Sequence, residues 1–257
     1  MRLFLFIVSV GVIALLPCVE ARAITLDEIV RRTLEAEKQN AKKLDGWRYR
    51  QDITVEKIDK GDTVKNTEKL TVWATCSTNI TYQVSNDGVG SGTFVAGKMR
   101  QPTASEQKTV KTANIFKESF QLSDLAPRFL LERQPDESVR VGKEKFDSRC
   151  YVISFQPKPG VPTPASRKEK VINALQGKLW ILQDSFTIAQ MKSSLHHPVS
   201  LAWFMVTMKD LNLAFQSQRL PNQLLAPASI NMSYTVRAGF SNIRQRQQIG
   251  MSQFSAP

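Results

Sequence analysis

The side chains able to do nucleophilic or metal chemistry are few. In 257 residues there are 2 His, adjacent at His196 and His197, and 3 Cys, at Cys18, Cys76 and Cys150. A closed zinc site needs four nitrogen or sulfur ligands, and a catalytic one needs three plus water. His196-His197 stands before Pro198 with no further ligand close in sequence, which is the pattern of a surface turn. No Gly-x-Ser-x-Gly elbow, His-Glu-x-x-His or Cys-x-x-Cys occurs. Gly88, Gly90 and Gly92 alternate, but no Gly-Lys-Ser follows, so they read as a turn. Asp87, Asp184 and Asp210 fall at predicted turns, where a carboxylate can bond the backbone. The expectation is a protein that is not an enzyme and has no metal and no cofactor. A secreted hydrolase is the remote alternative, and turnover lost on His197→Ala would revive it.

The first residues are an address. Met1-Arg2 precedes an apolar run from Leu3 to Leu16, Pro17 breaks it, and Ala21-Arg22-Ala23 supplies small residues for cleavage. Residues 1–23 read as a signal peptide, because the run is too short to span a bilayer. Residues 24–257 then form one exported, periplasmic domain. It keeps Cys76 and Cys150, which in an oxidising compartment either pair or remain two buried strand thiols. A bridge would add about 4 kcal/mol by restricting the unfolded chain.

The chain carries 35 Lys+Arg against 23 Asp+Glu, a formal charge of +12, and is 42% hydrophobic, too apolar for a disordered chain. The basic residues are scattered (Lys38, Lys42, Arg48; Arg167, Lys168; Arg237, Arg244) rather than clustered. With a leader in front of them they argue against nucleic acid and leave an anionic membrane surface as a partner. Nothing in the sequence calls for more than a monomer.

These residues need elements to position them. Thr25-Leu26-Asp27-Glu28 is a capping box. Leu26, Ile29, Val30, Thr33, Leu34, Ala41 and Leu44 then recur at helical spacing until Asp45-Gly46. After Gly46 the period becomes two: Trp47, Tyr49, Gln51, Ile53 and Val55 share one face, and Arg48, Arg50, Asp52 and Thr54 the other. Further strands are predicted over 69–75, 79–84, 139–141, 149–156, 178–183, 187–195, 211–218, 228–237 and 242–254. Helices are predicted over 113–133 and 166–175. Leu201 to Val206 has no polar alternation, so it is expected to be a strand covered on both sides. The prediction is an α+β fold, an antiparallel sheet of about ten strands with helices packed on it.

Aromatic and large aliphatic residues gather on single strand faces: Trp47, Tyr49 and Ile53; Leu70 and Val72; Ile80 and Tyr82; Tyr151, Ile153 and Phe155. They are candidates to line an apolar cavity suited to acyl chains, or else to fill a plain core. Both alternatives stay open at this stage.

Several segments in order resemble the LolA/LolB-like superfamily of outer-membrane lipoprotein carriers and lipoprotein-sorting proteins. They are the N-terminal amphipathic helix, Gly46-Trp47-Arg48-Tyr49-Arg50-Gln51, and Phe120-Gln121-Leu122-Ser123-Asp124-Leu125-Ala126-Pro127-Arg128-Phe129. Arg149-Cys150-Tyr151-Val152-Ile153-Ser154-Phe155-Gln156-Pro157-Lys158-Pro159, Gly177-Lys178-Leu179-Trp180-Ile181-Leu182-Gln183-Asp184 and Leu220-Pro221 follow. Gln183 and Gln190 depart from the usual Asp and Arg. The resemblance implies a curved, unclosed half-barrel whose concave face is capped by helices over an apolar cavity. It also implies a carrier that shields lipid acyl chains or a lipoprotein in the periplasm. The alternative is an envelope interaction or sensor module of the same fold that binds a protein.

Overall fold

The computed structural model describes residues 24–59, 61–76, 82–85, 99–100, 103–104, 106–107, 122–160, 164, 166–202 and 205–257. The leader, Ile80, the Asn86-Asp87-Gly88 turn, the alternating glycines and residues 113–121 of the predicted second helix lie outside these.

Helix α1 runs Leu26–Leu44, with Thr25 as its N-cap and Asp45 as its C-cap. The Thr25 side chain accepts from the Glu28 amide at 3.3 Å. Glu28 itself turns to Arg31 and Arg32, and these two guanidiniums hold its carboxyl down at about 2. Gly46 ends the helix at φ +78°, a left-handed conformation that glycine adopts without strain.

Twelve strands among the described residues build a single antiparallel sheet. They are β1 Arg48–Ile58, β2 Val64–Thr75, β3 Tyr82–Ser85, β4 Met99–Arg100, β5 Phe129–Arg140, β6 Asp147–Pro157, β7 Leu175–Leu182, β8 Ile188–Leu195, β9 Val199–Ala202, β10 Val206–Arg219, β11 Leu225–Ala238 and β12 Ser241–Ser255. The order is β4-β3-β2-β1-β12-β11-β10-β8-β7-β6-β5, with β9 beside β10. The sheet is therefore open, with β4 and β5 at its two ends. It is also curved. The β5–β6 turn meets β10: Arg219 Nε donates to Glu144 Oε1 at 2.9 Å, and a methyl at Gly142 would stand 2.8 Å from Gln218 Cβ. In a flat sheet β5 and β10 would lie four strand spacings, about 19 Å, apart.

Register shows how far period-two reading carries. Opposed pairs Tyr49↔Ala74, Ile53↔Leu70, Ile53↔Ile249, Ile230↔Ile249, Phe215↔Ile230, Phe215↔Met191, Met191↔Leu179 and Leu179↔Ile153 place one apolar row on one face, here the inner face, from β2 to β6. Cys150, Val152, Trp180 and Leu182 point to the opposite face and form a separate cluster with Val141, Ala189 and Leu225.

Three predicted elements differ. Phe129 to Arg133 is not the end of a helix but the start of β5. Among the described residues helix α2 runs Leu122–Leu125, and Pro127 follows it closely. Phe129 and Leu131 pack inward while Leu130 is exposed, an alternation that the compact Phe-Leu-Leu run conceals. Pro135 is tolerated because β5 is an edge strand whose register shifts between Gln134 and Glu137. Leu201 to Val206 is not one doubly covered strand: β9 ends at Ala202, Met205 turns with its amide on the Ala202 carbonyl, and β10 begins at Val206. Asp210 lies within β10 rather than in a turn. The second basic helix, α3, is shorter than predicted: Arg167–Ile172 capped by Ser166, with Leu175 already in β7.

Candidate functional site

The inner face is built in two halves. Over β6, β7, β8 and β10 lies α1. Its Ile29 is fully buried against Ile153 and Ile181, and Val30 and Leu34 pack on the cluster of Phe155, Leu175, Leu179, Met191, Leu211 and Leu213. Both ends of the helix are pinned. At the N-terminal end Arg133 donates to the Ile24 carbonyl at 2.5 Å. Arg133 also stands over the Tyr151 ring, Tyr151 meets Phe186, and Arg32 covers Phe186. At the C-terminal end the Asn40 carboxamide brackets Leu225, donating to its carbonyl at 2.6 Å and accepting from its amide at 3.3 Å. Leu44 closes against Leu220 and Ala226.

The other half is the face of β1, β2, β11 and β12, whose core side chains are all 5% exposed or less. The face there is Tyr49, Ile53, Val55, Val72, Ala74, Ile230, Ile249 and Met251, with Leu70, Cys76 and Phe254 at its margin. Tyr49 stacks on Phe254 with centroids 5.2 Å apart, and burial pushes its hydroxyl up, so it stays protonated. Gln247, 1% exposed, interrupts the row between Val55 and Met232, and its Oε1 has no hydrogen-bond partner; nor has Ser193 Oγ on β8.

The candidate residues thus fall as follows. Tyr49, Ile53, Val72, Ile153 and Phe155 are buried on the inner face, and Leu70 and Tyr151 are half-buried there. Phe155 meets Phe129 edge-on at 5.3 Å. Trp47 is half-buried at the α1–β1 junction beside Leu44. The backbone of Tyr82 pairs with Ala74, and Ile80 is outside the described residues. Sequence reading missed Asn40, the residue that ties α1 to the sheet. Its only signal was a carboxamide in an otherwise charged helix face.

Cys76 and Cys150 are not bridged to each other in this structure. Cys76 sits at the end of β2 near the inner face, whereas Cys150 points to the opposite face. Burial, with Asp184, Asp136 and Glu137 nearby, pushes the Cys150 thiol up to about 12, so it is protonated and a poor nucleophile. His196 is exposed and its Nδ1 lies 2.8 Å from Gln176 Oε1. Among the described residues no three His, Cys, Asp or Glu side chains gather as metal ligands. No described helix is long and apolar enough to cross a membrane.

The opposite face carries a polar trough of about 530 Å³, lined by Glu132, Gln156, Gln176, Lys178, Lys192 and Asn212 among others. Its lysines face each other across β7 and β8, so this space is no match for an acyl chain.

No family model matches the chain, and no curated protein matches it. Among solved structures it is similar to a DUF1329 family protein from Desulfovibrio piger, at 12% identity and TM-score 0.40 over 90% of this chain and 92% of that one. It is also similar to a LolA superfamily protein from Nitrosomonas europaea, at 10% identity and TM-score 0.37 over 91% and 94%. A third is MucB in complex with MucA(peri), at 8% identity and TM-score 0.28 over 89% and 94%.

Proposed function

We propose that this chain is an exported envelope protein that binds an apolar ligand, a lipid acyl chain or the lipid part of a lipoprotein, on the inner face of its open sheet. The observation that carries the reading is the continuous apolar row from β2 to β6, only part of which lies under α1. The half formed by β1, β2, β11 and β12 is where the ligand lies; Ile53, Val72 and Ile249 are at most 2% exposed without it, so it reaches them by displacing what now covers them. Gln247 offers a buried carboxamide oxygen without a partner to a donor group on the ligand. Concave apolar surfaces with few polar groups suit such ligands.

Organic extraction of the protein purified from its own envelope tests this. Wild type is expected to release lipid in near-stoichiometric amount. Leu70→Trp, at the half-buried margin of the inner face, should release little while retaining the far-UV spectrum of the wild type. Lipid retained equally by both proteins would contradict the assigned site. A stable protein partner on crosslinking with no lipid in either would favour the interaction-module alternative.

A further inference from the structure

The β11–β12 hairpin tip is apolar without a folding reason. Ala238 pairs with Ser241, leaving Gly239-Phe240 as a two-residue turn. Only Gly239 has positive φ, +58°, so the glycine alone satisfies the turn. Phe240 then projects from the tip fully exposed, at 110% of its reference area. Met205, just before β10, lies against it: the Gly239 amide donates to the Met205 carbonyl at 2.8 Å, and Met205 is 61% exposed. Ile243, at 49%, adds a third apolar side chain on β12. Nothing in the packing of the sheet needs an aromatic at 240 or a methionine at 205.

The charges behind these side chains have a distinct placement. Arg237 is three residues from Phe240 along β11, and Lys209 is four from Met205 along β10; both are exposed. At about 3.4 Å per strand residue they stand roughly 10–14 Å behind Phe240 and Met205. That is the height of lipid phosphates when apolar side chains sit 5–10 Å into the interface, and long basic side chains reach across the remainder. Asp210 is the acid next to Lys209, while Asp62 at the neighbouring β1–β2 turn is taken by Arg244. Three protruding side chains are too small an area for a stable protein interface, which buries about 1,200 Å² or more. A fluid surface needs no shape complementarity.

We infer that the β11–β12 tip and the adjoining Met205 dock this protein on an anionic lipid bilayer, with Phe240 and Met205 entering the interface and Arg237 and Lys209 meeting phosphate. This is independent of the inner-face ligand.

Sedimentation with vesicles tests it, using the exported protein and variants of identical N-terminus. Vesicles of phosphatidylethanolamine with phosphatidylglycerol are compared with phosphatidylcholine alone. Wild type should pellet with the anionic vesicles. Phe240→Ser should bind them about tenfold more weakly, the loss expected when a phenylalanine no longer leaves water. Arg237→Glu should lose the preference for anionic over neutral vesicles. Because Phe240 touches no core, both variants should keep the wild-type thermal midpoint. In Phe240→Trp, brominated acyl chains should quench more emission than in wild type. Equal pelleting of wild type and Phe240→Ser, no pelleting of wild type, or extra emission in Phe240→Trp untouched by brominated lipid would each overturn the inference. A dimer of wild type that Phe240→Ser dissociates would do so too.

Discussion

Gln247 is a polar side chain in an apolar row, 1% exposed, with its carboxamide oxygen unmatched. Leaving a buried acceptor unpaired costs about 1–3 kcal/mol, so a folding requirement alone would select leucine there. We expect Gln247→Leu to be at least as stable as wild type, with a gain of about 1 kcal/mol in urea unfolding, and to retain less ligand. A large loss of stability would mean that the amide has a structural role. The cysteines give a second prediction at this scale. They belong to separate clusters of the sheet, so alkylation under denaturing conditions without reductant should label Cys76 and Cys150 together. In the native protein at pH 8 Cys150 should stay unlabelled, because it is fully buried and its thiol is held protonated far above that pH. A mature chain that takes up label only after reduction would contradict the separated thiols.

At the scale of elements, α1 is the part most open to test. Its buried face is short: Ile29 and Thr33 near the start and Leu44 at the end, with Ala41 left exposed. Between these contacts Asn40 holds both backbone groups of Leu225. Asn40→Ala should cost about 1–3 kcal/mol, since it strands a backbone donor and acceptor. Hydrogen exchange should then quicken in the last turns of α1 and leave β10 and β11 protected away from Leu225. Uniform loss of protection would show that the helix and sheet open together. How much of this was legible follows from the same residues. The helix could be read because its cap, its 3.6-residue period and its Gly46 stop all agree. The face of β1 could be read because Tyr49, Gln51, Ile53 and Val55 alternate cleanly with Arg50, Asp52 and Thr54. Phe129-Leu130-Leu131 misled because three apolar residues in a row fit either period, and a register shift around Pro135 cannot be seen in one strand. Asn40–Leu225 was invisible because its partners are 185 residues apart. Likewise, no local pattern told whether Cys76 and Cys150 share a face. The β3 register at Ala74 opposite Tyr82 depends on which strands become neighbours.

Across the whole molecule, the open sheet offers two faces of opposite character. The inner face is an apolar row that helix α1 partly covers, and the opposite face bears the polar trough with Lys178 and Lys192. A sheet whose ends at β4 and β5 do not join can widen or narrow at modest cost, because no closed ring of strand hydrogen bonds fixes its radius. Such a frame suits a ligand defined by length and apolarity rather than by a pattern of hydrogen bonds. The most direct test is native mass spectrometry of the protein isolated from its own host, without detergent. We expect the mass of the chain from residue 24 plus one lipid or lipidated peptide, released as collision energy rises. A bare chain mass from gently handled native material would contradict an acyl-binding inner face.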